Sequence, residues 1–175
     1  MQSNIQDIIS SILSEEVEKD KRPNQTLIFT LGNDARSIIE NELTTTSSTS
    51  SIRAILRSRN NVNILFLNKL QYFYMYLIKC EAERMIYNRF IIYGLDSLIC
   101  ELNDTNSVLY DTAEDTANSH INVQQLRIVN LIYSTVFRIK RKYELKNITF
   151  VYGNYSALLT RDLQRLERYW RDIIS

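Results

Sequence analysis

With 175 residues, 45 % of them apolar, the chain can bury one sizeable core. Its 21 Lys and Arg nearly balance 20 Asp and Glu, which argues against a dedicated nucleic-acid or membrane-surface protein. Three glycines and one proline leave little for turns, so the expected class is mainly α.

In chain order, Ser3 to Lys21 reads as an amphipathic helix, with Ile5, Ile8, Ile9, Ile12 and Leu13 at i, i+3, i+4, i+7 and i+8. The only proline lies in Lys19–Asn24 and ends it. Asn33-Asp34 can cap a short helix over Ala35–Leu43, and Thr44 to Ser51 is an unbroken Ser/Thr linker. Ser51 then caps a helix carrying Ile52, Ile55 and Leu56.

Val62 to Leu102 is the stretch around which the rest is expected to assemble. It has no proline, one glycine (Gly94), and apolar residues on nearly every face. Read as one helix it would be about 60 Å long, too apolar all round for this chain to cover, so part of it is expected to be covered by a partner protein. Its continuity turns on Asn68-Lys69 and Gly94. Tyrosines Tyr72, Tyr74, Tyr76, Tyr87 and Tyr93 suit half-buried contact surfaces. Lys79, Glu81, Glu83, Arg84 and Arg89 read either as an exposed stripe or as a salt-bridged seam.

Asn103 to His120 is polar and acidic and reads as a mobile loop. A helix then begins with Asn122 as cap, Gln125 completing a capping box, and an Ile121–Leu126 staple, and runs to about Tyr143 with a basic end. Ile148–Tyr152, Gly153-Asn154 and Tyr155–Leu159 read as a β-hairpin, and Thr160 caps a last helix with Leu163, Leu166, Trp170, Ile173 and Ile174 on one face. The expected division is 1–25 as an N-terminal helix extension, 26–145 as a helical domain, and 146–175 as a small hairpin-plus-helix element.

Chemistry is sparse. The single histidine, His120, has no nucleophile beside it, and no His/Cys/Asp cluster has metal-ligand spacing, so no catalysis, metal or cofactor is expected. Leu31-Gly32-Asn33 lacks the further glycines and lysine of a phosphate loop. Cys80 and Cys100 read as buried free thiols of a reducing compartment. The longest apolar run, Tyr72–Ile78, is too short to span a membrane, and no signal pattern opens the chain. Arg138, Lys140, Arg141 and Lys142 could touch phosphates, but a helix C-terminus accounts for them, so direct DNA contact is not expected.

The order of parts resembles a subunit of the GINS complex of the eukaryotic replicative helicase, in which a helical A domain is joined to a small B domain. Leu31-Gly32-Asn33 with Ile38–Leu43, Ser51–Leu56, Gln71-Tyr72-Phe73 through Arg84 and Arg89, and Val123–Tyr143 are similar to successive A-domain helices of the Psf-one type. Glu81-Ala82-Glu83-Arg84 and Tyr87 are equally similar to the Sld-five type. The hairpin Ile148–Leu159 and the helix ending Asp172-Ile173-Ile174 resemble the end of a B domain. The resemblance implies a nuclear, non-catalytic scaffold subunit in DNA replication. It would join sister subunits in a hetero-tetramer, which meets the MCM hexamer and polymerase epsilon. The contact residues would be Tyr72, Phe73, Tyr76, Arg84, Tyr87, Arg89, Phe90 and Tyr93. The rival reading is another all-helical interaction subunit, of a kinetochore or trafficking complex, or a viral bundle that binds host proteins.

Overall fold

The fold was obtained as a computed structural model, which describes residues 5–14, 24–46, 59–107, 121–153 and 155–174. Four parallel strands lie in the order β2-β1-β3-β4: β1 (Thr26–Leu31), β2 (Val62–Leu67), β3 (Arg89–Tyr93) and β4 (Asn147–Val151). Between and around them run α1 (Ile5–Ser14), α2 (Asn33–Thr46), α3 (Leu70–Ala82), α4 (Leu95–Ser107), α5 (Val123–Tyr143) and α6 (Ala157–Ile174). The class is therefore α/β, and the expectation of a mainly α, GINS-like helical domain is overturned.

The decisive departure is Val62–Leu102, which is not one helix. It is β2, α3, β3 and the start of α4, broken at Asn68-Lys69, at Glu83–Asn88 and at Gly94. The physical reason lies in how a parallel strand is covered. With helices on both sheet faces, every residue of an inner strand is buried, and the strand reads as an unbroken apolar run without period 2. Phe90, Ile91, Ile92 and Tyr93 are all buried, and so is all of β1. Within the stretch that reads as a helix apolar on all sides, β3 is such a strand, and the chain itself supplies its cover.

One face of the sheet carries Leu27, Phe29, Phe90, Ile92 and Ile148 under α3, α5 and α6. Phe29 is its centre, with ring centroids 5.0 Å from Phe73, 5.3 Å from Phe90 and 5.7 Å from Tyr76. The other face carries Ile28, Ile91, Tyr93 and Val151 against Ala35 and Ile39 of α2 and Ile5 of α1. The N-terminal helix thus docks on its own sheet, with Ile8, Ile9 and Ile12 turned to the same cluster.

The expected hairpin is absent. Asn147–Val151 pairs in parallel with β3 as β4, and the chain then enters α6. Gly153-Asn154 predicts a two-residue turn between paired strands, but Ile148 finds its partner in Phe90, far back in the sequence. Residues 146–175 thereby complete the same sheet. The capping box of α5 is present as its sequence signature requires: the Asn122 side chain accepts from the Gln125 N–H at 2.8 Å, and Gln125 Oε1 accepts from the Asn122 N–H at 3.0 Å. The Ser51–Leu56 helix, most of the Ser/Thr linker and His120 lie outside the described residues.

Candidate functional site

In a doubly wound sheet, ligands bind outside the carboxyl ends of the strands, where successive connections leave in opposite directions. Here that point lies between β1 and β3, because β1 leads to β2 on one side while β3 sits on the other. Gly32-Asn33-Asp34 after β1 and Gly94-Leu95 after β3 form its walls. Both glycines have positive φ, +91° and +80°, where L side chains are strained.

The crevice is filled by the protein's own chain. Helix α4 packs against α2, β1 and α6, and its Glu101 carboxylate accepts from the backbone N–H groups of Asn33 (3.0 Å) and Asp34 (3.1 Å). These are the amides at the α2 N-terminus that would hold a phosphate in a nucleotide-binding relative of this architecture. A Cβ on Gly32 would stand 2.6 Å from Glu101 Oε1, so the glycine is needed for the carboxylate to approach. Ser97 Oγ also donates to Glu101. Nearby, fully buried Asp96 accepts from the Gly153 N–H at 3.0 Å and ties α4 to the β4–α6 connection. Burial pushes the Tyr155 phenol up, with Asp34, Asp96 and Glu101 adding to the rise. The site is thus acidic as well as occupied, and among the described residues no His/Cys/Asp/Glu group could hold a metal.

The expected contact residues scatter. Phe73, Phe90 and Tyr93 are buried in the chain's own core, while Tyr76 and Tyr87 are half-buried against it. Arg89 is half-buried on β3, and Arg84 is exposed after α3. Of the aromatic ones only Tyr72, 50 % exposed, stands clearly outward, and it shares the α3 surface with Met75 (65 %) and Ile78 (38 %), which sequence reasoning did not single out. Lys69 Nζ lies 5.3 Å over the Tyr72 ring.

The basic run divides between two faces of α5. Arg138 makes a two-pronged pair with Glu81 of α3 (2.8 and 2.9 Å), and Lys142 donates to the Glu81 carbonyl. Of the two readings open for the α3 charges, Glu81 thus follows the salt-bridged seam. The Arg138 guanidinium holds the Glu81 carboxyl below its usual range. Lys140 and Arg141 turn instead to an open groove of about 470 Å³ that they share with Phe137, Arg171 and Ile174. Tyrosines also serve the interior: buried Tyr133 shares a hydrogen bond of 2.9 Å with Tyr152, which donates to Glu167. Cys80 and Cys100 form no disulfide, and burial pushes the Cys80 thiol up to about 11.

Residues 6–175 match the family described as Suppressor of HU sensitivity involved in recombination protein 1. The chain belongs to this family. A curated member from Saccharomyces cerevisiae is 27 % identical over 90 residues, which cover 50 % of this chain and 60 % of that protein. Membership overturns the GINS reading. The replicative-helicase function, the sister subunits of a hetero-tetramer, the MCM hexamer and polymerase epsilon all fall with it. Physically, the stretches that resemble A-domain helices owe their likeness to apolar composition, and Leu31 and Arg89, at the ends of two of them, belong to strands.

Proposed function

We propose that this chain acts in recombination as a non-catalytic, protein-binding component in the nucleus. Its family is named for a role in recombination. Glu101 occupies the crevice amides at the start of α2, which supports a scaffold role.

The observation that carries the protein-binding part is the β2 edge. Among the described residues β2 pairs with β1 alone, so within them the peptide groups on its outer side have no partner strand. Soluble proteins usually blunt such an edge with a charge, a proline or a bulge. Val62-Asn63-Ile64-Leu65-Phe66-Leu67 has no charge and no proline. Exposed apolar groups flank it: Phe66 on the strand, Ile38 on α2, and Tyr72, Met75 and Ile78 on α3, which follows after two residues. A partner that adds a strand to β2 and lays an apolar face on α3 would cover both.

The test is recombination frequency and HU resistance in cells whose own gene is replaced by a Met75→Glu/Ile78→Glu variant. Met75 is 65 % and Ile78 38 % exposed; in a variant whose circular dichroism melt matches that of wild type, the reading expects the defect of a gene deletion. Wild-type recombination in that strain would remove it.

A further inference from the structure

The near balance of charge over the whole chain conceals a division. Residues 123–174 hold ten Lys and Arg against four Asp and Glu, a surplus of six, whereas the rest holds eleven against sixteen. The basic part is the α5–β4–α6 unit at one side of the sheet. We infer that the outer face of α6 is a binding surface for single-stranded nucleic acid, with arginines on the phosphates and Tyr169 as a stacking platform.

The helix explains the layout. α6 buries Leu159, Leu163 and, in part, Leu166 and Trp170 toward α5 and the sheet. Arg161, Arg165 and Arg168 are spaced i, i+4 and i+7, which places them on one opposite side, and all three are exposed. At about 1.5 Å rise per residue they stand roughly 6 and 4.5 Å apart along the axis, a spacing on the scale of successive phosphates of a strand. Tyr169, 56 % exposed, lies on the same side and is held edge-on by Trp170 at a centroid distance of 5.4 Å. Trp170 is in turn fixed to α5 through Nε1 donating to Asn130 at 3.0 Å. The exposed ring therefore sits on a braced support within a row of cations, the combination that binds single strands without reading sequence.

The acidic groups near the row are few. Asp162 lies 3.9 Å from Arg165, Asp172 ends the row, and Glu167 is turned inward to Tyr152 and Arg171. Lys140, Arg141 and Arg171, at the neighbouring groove, extend the positive surface toward α5, with Glu144 the one acid lining it. An acidic peptide would meet the same charge. The braced, outward Tyr169 favours bases, because a peptide anchor needs a pocket, and the apolar groove floor at Phe137 and Leu145 is almost fully covered.

The inference stands apart from the protein-binding role of β2 and α3 and is tested on the isolated full chain. Fluorescence anisotropy with a labelled oligodeoxythymidylate, across a salt series, gives the affinity and its salt slope. Wild-type protein is expected to bind. Arg165→Glu/Arg168→Glu should weaken binding at least tenfold and flatten the log–log salt slope by about 0.7 for each phosphate no longer neutralised. Tyr169→Ala should cost roughly tenfold with the salt slope unchanged. These residues face solvent, and an unchanged circular dichroism melt confirms the fold of each variant. The inference is overturned if wild type leaves the anisotropy flat or if the charge reversal binds as wild type does. Polyglutamate competing as well as unlabelled oligonucleotide would also overturn it and assign the face to an acidic protein.

Discussion

Gly94→Ala probes the crossing on which the α/β reading depends. Gly94 joins β3 to α4 with φ +80°, and a Cβ there would lie 2.5 Å from the Ala35 Cβ and 2.6 Å from the Leu31 carbonyl oxygen. Neither neighbour can swing away, since one is backbone of the central strand and the other is a methyl group at the start of α2. Left-handed backbone costs a non-glycine residue about 1–2 kcal/mol, and overpacking a close contact costs about 1–3 kcal/mol. The sum, about 2–5 kcal/mol, is a large share of a domain's stability. At ~2–4 °C per kcal/mol for a chain of this size, Tm should fall by about 10 °C. The control is Gly153→Ala, where the three atoms nearest the new Cβ all belong to the Tyr155 ring, a side chain 41 % exposed and not backbone, so its cost should be clearly smaller than that of Gly94→Ala. Thermal melts followed by circular dichroism give both values. A Gly94→Ala melt within about 2 °C of wild type would refute the close crossing of β1 and α4.

Other consequences concern titration and ion pairing. Buried Cys80, with its thiol pushed up to about 11, and Tyr133 and Tyr152, raised by burial, all stay protonated in the fold at pH values where they ionise in the unfolded chain. Raised folded values mean stability that is intact below pH ~9 and lost as pH rises through the folded values, so urea midpoints should decline steadily in alkali. For Glu81 the sign reverses. Its lowered carboxyl contributes stability above its unfolded pKa of about 4.3, lost as pH falls through the lower folded value. Glu81→Gln should therefore cost about 0.5–1 kcal/mol at pH 7, given that Arg138 is half exposed, and nothing once the carboxyl is protonated in acid. Urea titrations at the two pH values check it.

The parts of this fold that are legible in the sequence are those whose cause is local. The α5 start is a three-residue pattern, Asn122 to Gln125, and the α1 stripe of isoleucines repeats with the helix period; both are present. The strands are hidden because their cause is distant. Arg89–Tyr93 has no alternation to betray it, since burial comes from α1 and α2 on one face and α3 and α5 on the other. The glycine at 153 does end a strand, but it is the exit from a parallel edge strand and not the bend of a hairpin. The crevice is half legible: the missing phosphate loop at Leu31-Gly32-Asn33 is plain, but its occupant, Glu101, is 68 residues away from Asn33. The charge division between residues 123–174 and the rest is present in the sequence but invisible in the total.

On the proposed function, this chain works through its surface while its crevice serves only structure. Recombination frequency, measured side by side in cells carrying Glu101→Gln or Met75→Glu/Ile78→Glu, separates the two most directly. Glu101→Gln keeps one acceptor oxygen and sets its NH2 against the other of the Asn33 and Asp34 amides, which costs stability but leaves the surface intact. In a variant that is folded at growth temperature recombination should therefore stay at the wild-type level, while the α3 variant should fall to that of the deletion. Abolished recombination with Glu101→Gln, in a protein that is folded at growth temperature, together with full recombination in the α3 variant, would place the function in the crevice and contradict that division.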